Sequence, residues 1–161
     1  ARETGHPVTA SGTHPEWHHE LMRIELLGAG DEAAVLAASH LFDGAAEETA
    51  TRLFLSREGH HLLLAYEGDE AIGFVSGVET VHPDKGTEMF LYELGVDERA
   101  RGRGVGRTLV EHLSRLARER GCYAMWVLTD ADNDAALATS RHPGAERGSQ
   151  HVMLTWDFPA D

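Results

Sequence analysis

The apolar positions of this 161-residue chain recur with two different spacings, which divide the chain into strands and helices. Alternating or continuous apolar runs predict six strands, at residues 21–27, 60–66, 71–81, 88–96, 122–128 and 150–158. Helical spacing between polar or glycine-rich breaks predicts four helices, at residues 32–42, 46–57, 105–120 and 135–141. The order β-α-α-β-β-β-α-β-α-β predicts an α/β fold in which a mixed sheet has helices on both faces.

The beginning of the chain lacks this periodicity. Residues 1–19 are polar, so we expect a tail there and a single domain over residues 20–161. His14, His18 and His19 lie in the tail without the spacing, or the cysteine and carboxylate partners, of a metal site. We therefore expect surface histidines and no bound metal.

A segment rich in glycine and arginine joins the strand at residues 88–96 to the long helix at 105–120. Its three glycines let the backbone turn tightly and approach a ligand, and the helix start offers unpaired N–H groups at the positive end of the dipole. Fixed positive charge comes from four arginines, Arg99, Arg101, Arg103 and Arg107. These features predict an anion cradle, most simply for a pyrophosphate.

The spacing within the segment selects among phosphate-binding patterns. A Walker loop needs a lysine, and a dinucleotide fingerprint needs a glycine, at the position of Arg107. The pattern that fits is R-x-x-G-x-G, formed by Arg101, Gly104 and Gly106 between a strand and a helix. This loop resembles the acetyl-CoA pyrophosphate loop of the GCN5-related N-acetyltransferases. The alternative, from the residues alone, is a solvated turn without a ligand.

Further motifs narrow the resemblance. Residues 92–96 read YELGV, residues 130–137 read DADNDAAL, and the last strand contains TWDF. In this order, from about His60 to the end, they are similar to the aminoglycoside 3-N-acetyltransferases of the same superfamily. The resemblance implies a single N-acetyltransferase domain with a mixed, mostly antiparallel sheet. It also implies acetyl transfer from acetyl-CoA to an amine of an aminoglycoside, most simply the 3-amine, which would confer antibiotic resistance.

The resemblance further implies where acetyl-CoA binds. The cofactor would lie between the strands at 88–96 and 122–128, which are expected to separate. Backbone groups of Leu94 and Val96 would pair with the pantetheine arm, and the Val96 N–H would donate to the thioester oxygen as it gains negative charge. The implied cofactor-binding residues are Leu94, Gly95, Val96, Arg101, Gly102, Arg103, Gly104, Val105, Gly106, Arg107, Thr108 and Asn133.

Glu93 is the candidate general base, because an ammonium group must lose its proton before it can attack a thioester. It lies on the central strand beside the implied cofactor site, and the alternative is a strand glutamate that only faces solvent. Glu88 lies five positions earlier and faces the other side of a regular strand, so it is the weaker candidate. Tyr92 and Glu93 are expected to contact the acceptor.

An acidic turn follows the strand at 122–128. Asp130, Asp132 and Asp134 place three carboxylates within five residues, which would suit the ammonium groups of an aminoglycoside. The alternative is a turn in which Asp132 or Asn133 caps the next helix, and both interpretations can hold together. Asp157, near the end of the last strand, is a further substrate candidate.

Ser140 departs from the superfamily pattern. A tyrosine usually stands at this position and protonates the leaving thiolate, whereas the serine hydroxyl is shorter and a far weaker acid. Either water or another group would serve as the acid, or the enzyme is impaired. Because thiolate is a good leaving group, the change concerns rate more than cofactor binding. The departure also raises the alternative of an acyl-CoA-binding protein without turnover.

The net charge of the chain bears on which partners it is expected to bind. The formal net charge of −13 argues against nucleic acid, despite the local arginines. An acidic surface serves solubility or attracts a cationic substrate, and charge alone does not choose between the two. Another small polyamine, or a protein N-terminus, therefore stays open as the acceptor.

Cys122 is the single cysteine, so no intrachain disulfide forms, and its apolar neighbours favour a buried, inert thiol over a nucleophile. No apolar run approaches the roughly 20 residues of a membrane span, and we find no secretory signal peptide. These features predict a cytoplasmic protein without membrane contact. The resemblance is also compatible with a homodimer.

Overall fold

One sheet of five strands organises the part of the chain that the structure describes. The computed structural model describes residues 22–141, 145, 146, 148, 154–156 and 158. The strands are β1 (Arg23–Leu27), β2 (His60–Glu67), β3 (Glu70–His82), β4 (Gly86–Val96) and β5 (Ala124–Val127). The helices are α1 (Glu32–Ala37), α2 (Glu48–Ser56), α3 (Val105–Glu119) and α4 (Asp134–Arg141), and short 3-10 turns lie at Ser39–Leu41 and Glu98–Ala100.

The strands lie side by side in chain order, β1-β2-β3-β4-β5. The pairs among the first four strands are antiparallel, and β5 is parallel to β4. A parallel pair needs a long crossover connection, which α3 provides. Helices pack on both faces of the sheet, in two separate cores. The predicted mixed, mostly antiparallel sheet with helices on both faces is confirmed.

Helix α3 packs one apolar stripe against the first face of the sheet. Leu109 and Leu113 of this stripe are fully buried in a core that also contains Met89 of β4. Gly77 of β3 permits the close contact, since a Cβ there would lie 2.8 Å from both Leu113 Cδ1 and Met89 Sδ. The distance between helix and sheet therefore depends on this glycine, and it fixes where the first turn of α3 lies beside the end of β4.

Helices α1 and α2 cover the second face. Val35 of α1 and Leu55 of α2 are buried together with Leu64 of β2 and Phe74 of β3. This core does not include the stripe of α3, and the two cores share only the strands between them.

The connection between α1 and α2 differs from the prediction. The predicted helix at residues 32–42 ends at Ala37 and continues as a 3-10 turn, in which the Leu41 N–H donates to the Ala38 carbonyl at 2.9 Å. The tighter turn brings the chain to the end of β4. A Cβ on Gly95 would lie 3.0 Å from the Leu41 carbonyl oxygen. The following loop, residues 42–47, thus reaches the end of the sheet at which β4 finishes.

Strand β5 is shorter and more exposed than the prediction for residues 122–128. It spans Ala124–Val127 and is the edge of the sheet within the described residues. Trp126 is 38% exposed and Leu128 is 54% exposed, whereas Met125 and Val127 pack against the α3 core. Within the described residues, only one face of β5 is therefore covered.

Several expectations concern residues at the two chain ends. The predicted tail at residues 1–19 lies outside the described residues. Of the strand predicted at residues 150–158, only 154–156 and 158 are described, and they lie outside any strand. Leu154, Trp156 and Phe158 are exposed. Within the described ranges, no helix has both the length and the apolar character needed to cross a membrane.

Candidate functional site

Strands β4 and β5 pair over only part of their length. Their register begins at Glu88 with Ala124 and ends at Leu91 with Val127. Strand β4 continues to Val96, paired on its other side with β3. Residues 92–96, which we call the open edge, therefore present one side of their backbone to a gap between the two strands. The expected separation of these strands is confirmed.

A β-bulge lies where the open edge begins. Ser76 pairs with Glu93 and Gly77 pairs with Leu91, so Tyr92 is an extra residue on β4. The bulge reverses the alternation of side chains along the strand. Met89 and Leu91 belong to the α3 core before the bulge, and Leu94 and Val96 pack against the same core after it. Glu93 consequently lies on the opposite face, toward α1 and α2.

Backbone groups alternate along the open edge as well. The Glu93 N–H donates to Ser76 Oγ at 3.2 Å, and the Asp97 N–H donates to the Ile72 carbonyl at 2.9 Å, so both point toward β3. Since successive residues point their backbone groups to opposite sides, those of Leu94 and Val96 point into the gap. These are the two residues for which the sequence predicts contacts with a pantetheine arm.

The loop after β4 leads into α3 through a left-handed glycine. Gly104 has φ 83° and occupies the N-cap without a side-chain cap. The first hydrogen bond of the helix runs from the Thr108 N–H to the Gly104 carbonyl at 3.0 Å. The N–H groups of the three preceding residues, 105–107, therefore have no acceptor within the helix. Together with the helix dipole, these N–H groups could hold an anion.

Gly106 lies in this first turn for a different reason. A Cβ there would lie 3.4 Å from Thr139 Cγ2 of α4 and farther from every other atom, so packing within the described protein does not require glycine. A Cβ there would make ordinary van der Waals contacts with Thr139, Val96 and Leu94. Gly95 is the opposite case, since a Cβ would lie 2.4 Å from Phe74 Cε1 and would clash. Gly95 is thus required by the contact with the Phe74 ring.

The four arginines of the loop have different partners. Arg99 forms ion pairs with Asp97 at 3.2 Å and with Glu70 at 2.5 Å. Arg103 pairs with Glu67, and Arg107 lies 3.6 Å from Glu111.

Arg101 differs from the other three. Its Nε donates to the Val96 carbonyl at 3.2 Å, and within the described residues it has no carboxylate partner. Arg101 and the helix start therefore provide positive charge that no described carboxylate offsets. Arg99, Arg103 and Arg107 each lie beside a carboxylate, which reduces the net charge they offer to an anion.

Glu93 lines an open cavity beside the open edge. The cavity has a volume of about 250 Å³ and is lined by Leu41, Asp43, Phe74, Glu93, Leu94 and Gly95, and we call it the acidic cavity. Burial of the Glu93 carboxyl raises its pKa above the ordinary value, and the nearby negative charge of Asp43 raises it further. Both effects make ionised Glu93 a stronger base, as a general base requires.

The bulge also changes the position of Glu88. Thr80, which pairs with Glu88, and Ser76, which pairs with Glu93, share one face of β3, so the two glutamates share one face of β4. The expectation that Glu88 faces the other side is wrong, because the strand is not regular. His82 Nε2 at 3.0 Å and Tyr123 Oη at 2.8 Å hold the Glu88 carboxylate.

These partners lower the pKa of Glu88. A carboxylate with a lowered pKa is a weaker base, so Glu88 differs from Glu93 in chemistry although both side chains lie on the same face. The preference for Glu93 as the candidate base therefore rests on its surroundings.

The acidic turn after β5 is exposed, with Asp130, Asp132 and Asp134 in contact with solvent. Asn133 Oδ1 accepts the Ala136 N–H at 3.0 Å, which is the capping role considered for this turn. Because β4 and β5 are parallel, their C-terminal ends lie at the same end of the sheet. The acidic turn after β5 therefore lies at the same end as the arginine-rich loop after β4. No contact among the described residues joins the three carboxylates to Glu93, and Asp157 lies outside the described residues.

Two further predicted residues lie near the gap. Tyr92, the bulge residue, is 62% exposed, and its ring contacts Phe90 edge-on at 5.8 Å between centroids. Ser140 lies on α4, whose Thr139 faces the first turn of α3 at Gly106. Within the described residues the Ser140 hydroxyl forms no hydrogen bond.

Asp43 was not identified from the sequence. It lies in the loop at residues 42–47, which carries no motif, and only the fold brings this loop to Glu93. The weak signal available was an acidic residue next to a glycine after a helix.

The sequence matches the profile of the Acetyltransferase (GNAT) family over residues 16–142. A curated relative, L-2,4-diaminobutyric acid acetyltransferase of Streptomyces coelicolor, is 38% identical over 80 residues. This match covers 49% of the chain and 46% of the relative, so the chain spans about half the length of the relative that it matches.

Solved structures share the fold at lower identity. An aminoglycoside acetyltransferase from an uncultured soil metagenomic sample, in complex with sisomicin, gives a TM-score of 0.78 at 18% identity and covers 86% of this chain and 97% of that one. AAC(6')-Iy, in complex with the bisubstrate analogue CoA-S-monomethyl-acetylneamine, gives 0.73 at 19% identity, with 85% and 99% coverage. At these identities the similarity shows the fold alone.

Proposed function

This chain belongs to the acetyltransferase (GNAT) family, whose members use acetyl-CoA, and we propose that it acetylates an amine of an aminoglycoside-type acceptor. The observation that carries the proposal is the acidic cavity at Glu93, directly beside the open edge of β4. In a protein of net charge −13, such a cavity attracts cations. The aminoglycoside acetyltransferases of the same fold support this acceptor class.

The residues at the gap fit acetyl-CoA. The unpaired N–H groups in the first turn of α3, with Arg101, suit a pyrophosphate. Leu94 and Val96 point backbone donors and acceptors into the gap, which suits the amides of a pantetheine arm. When bound, acetyl-CoA supplies the thioester that donates the acetyl group.

Glu93 receives the proton of the acceptor ammonium group, directly or through water. The neutral amine would then form the C–N bond as the C–S bond breaks, and the N–H proton that the attacking nitrogen loses would pass through water to the departing sulfur. In this mechanism the Val96 N–H would donate to the thioester carbonyl oxygen as that oxygen gains negative charge. The raised pKa of Glu93 strengthens it as a base at the pH where it is ionised.

Water supplies the proton for sulfur in this mechanism. Ser140 lies on α4 next to the first turn of α3, but its side chain is too short and too weak an acid to replace a tyrosine. Since a thiolate leaves readily, the missing acid lowers the rate without preventing the reaction.

The finer specificity rests on the sequence motifs at residues 92–96 and 130–137. On that resemblance we assign the 3-amine as the acetylated position and antibiotic resistance as the consequence. Asp130, Asp132 and Asp134, with Tyr92, stay predicted contacts for the other parts of the acceptor. Cytoplasmic location and a homodimer likewise stay predictions.

A second acceptor class is favoured by one comparison. The Streptomyces coelicolor relative is an acetyltransferase for L-2,4-diaminobutyric acid, which carries two amino groups on a short chain. A small diamine would place one ammonium group at Glu93 in the same way. The two classes differ in size, so a panel of acceptors separates them.

The test is release of free CoA thiol from acetyl-CoA in the presence of gentamicin, sisomicin, kanamycin, spermidine, diaminobutyric acid or a short peptide. Thiol release with the aminoglycosides supports the proposal, and mass spectrometry of the product locates the acetyl group. Release with the small diamines or the peptide alone would replace the acceptor. Binding of acetyl-CoA by calorimetry without any release would indicate a protein without turnover, and recovery of turnover in Ser140→Tyr would identify the cause.

A further inference from the structure

Asp43 brings a second carboxylate to the acidic cavity from a different element. Glu93 comes from the sheet, whereas Asp43 comes from the loop at residues 42–47. The two side chains line the same cavity of about 250 Å³, and both retain access to solvent. At about 30 Å³ per water, this volume corresponds to roughly eight waters, which is the size of a short diamine or part of an aminosugar.

Neither carboxylate has a partner within the described residues. No hydrogen bond or ion pair involves the Asp43 or Glu93 side chain there, whereas three acids around the arginine residues of the loop after β4 are paired. Asp97 and Glu70 pair with Arg99, and Glu67 pairs with Arg103. None of the described residues that line the acidic cavity carries a cationic side chain. Two like charges that share a cavity without a counter-charge favour a bound cation.

A local structural role does not account for Asp43. Asp31 accepts the Gly28 N–H at 2.8 Å, and Asp97 accepts the Arg99 N–H at 2.9 Å, so these aspartates stabilise turns. Asp43 accepts no N–H group among the described residues. Its one described electrostatic effect is on Glu93.

We propose that Asp43 determines acceptor specificity by binding a second ammonium group of the acceptor, one that does not react, while Glu93 receives the reacting one. The inference rests on the proposed function and refines its substrate class to acceptors with at least two neighbouring amino groups. The reacting nitrogen loses its charge when Glu93 takes its proton. The second nitrogen stays charged, so it continues to offset the cavity's negative charge and to hold the acceptor in place.

The kinetic test compares Asp43→Asn with wild-type protein and with Asp84→Asn, which makes the same charge change in the exposed turn between β3 and β4. The acceptors are 2-deoxystreptamine, with two amino groups on one ring, and glucosamine, with one. We expect Asp43→Asn to raise KM for 2-deoxystreptamine roughly tenfold, with kcat nearly unchanged and with little effect on glucosamine. Asp43→Glu should restore most of the preference, and Asp84→Asn should match wild type.

The pH dependence of kcat/KM adds a second measurement. If Asp43 had a purely structural role, its substitution would not shift this pH profile. Loss of the Asp43 charge lowers the pKa of Glu93, so the acid limb of kcat/KM for glucosamine should shift to lower pH in Asp43→Asn. Within the described residues, Asp43 and Glu93 are the titratable groups that line the cavity. Equal losses for both acceptors, or no loss for either, would overturn the proposal.

Calorimetry separates this inference from the proposed function. Sisomicin is titrated into the CoA complex of each variant, so binding is measured without turnover. Weaker sisomicin binding in Asp43→Asn than in Asp84→Asn supports the role of Asp43 even if no thiol is ever released, in which case the proposed function alone fails. Equal sisomicin binding by the two variants would overturn the role of Asp43 while leaving acetyl transfer intact.

Discussion

The two halves of strand β4 have the same neighbour on one side and different surroundings on the other. Residues 86–91 lie between β3 and β5, and their inward side chains Met89 and Leu91 are 0% and 3% exposed. Residues 92–96, the open edge, lie against β3 alone. The bulge at Tyr92 separates the halves. The first half is satisfied by the protein itself, whereas the second half has backbone groups and a carboxylate left for ligands.

The largest expected effect comes from the same substitution made in each half. Glu93→Gln should lower kcat/KM by roughly 10² to 10⁴-fold, because it removes the proposed base while leaving the side-chain shape. Glu88→Gln, on the same face of the same strand, should stay close to wild type in thiol-release assays. Comparable losses in both variants would remove the functional distinction between the halves.

In the first half of β4, truncation of a side chain that packs beneath α3 should lower stability and leave catalysis unchanged. Met89→Ala should reduce the free energy of unfolding by about 2–5 kcal/mol, since Met89 is fully buried beneath α3. Leu94→Ala, beyond the bulge, should cost less, because Leu94 is only partly buried. Urea denaturation measures both, and an equal cost in the two variants would argue that the halves are packed alike.

The loop after the open edge offers a third comparison, between arginines with and without a carboxylate partner. Arg101→Ala should weaken acetyl-CoA binding roughly tenfold, and the effect should shrink as salt is added. Arg103→Ala should have a smaller effect, because Glu67 already neutralises this side chain. Calorimetry at two ionic strengths tests the order, and a larger loss for Arg103→Ala would show that the ion pair opens on binding.

The smallest expected effect is a difference of sign in the pH dependence of stability. His82 and Tyr123 lower the pKa of Glu88, so its ionised form adds stability above the ordinary carboxyl range, which is lost as pH falls through the lowered pKa. Burial and Asp43 raise the pKa of Glu93, so its ionised form subtracts stability at neutral pH, which is recovered in acid.

Thermal unfolding at neutral and acidic pH measures these opposite contributions. Glu88→Gln should lower the Tm at neutral pH and approach wild type in acid, whereas Glu93→Gln should raise the Tm slightly at neutral pH. Shifts of the same direction in both variants would contradict the assignment of opposite environments.

Local sequence patterns predicted the elements that depend on local chemistry. The apolar run at residues 88–96 became β4, and helical spacing after Gly104 became α3. The R-x-x-G-x-G pattern lies at the strand-to-helix junction, with its first-turn N–H groups unpaired. Each of these features depends on residues that are close in sequence, so spacing alone carries the information.

The remaining features depend on contacts between distant parts of the chain. The bulge at Tyr92 follows from how β4 registers with Ser76 and Gly77 of β3, and no glycine or proline near Tyr92 signals it. The face assigned to Glu88 was wrong for that reason. Asp43 joins the site through the path of the chain after α1, and the pairing of Arg99 and Arg103 depends on Glu70 and Glu67, which flank the turn between β2 and β3.

The separate cores on the two faces of the sheet have a consequence for how such a protein diverges. The first turn of α3 and the side chains of Leu94 and Val96 pack with the core beneath α3, whereas the loop at residues 42–47 follows helix α1 of the other core. Substitutions in that loop can accumulate with little disturbance of the α3 core. On the proposed role of Asp43, a lineage with this architecture changes its acceptor by altering this one surface loop, while the residues proposed to hold acetyl-CoA stay unchanged.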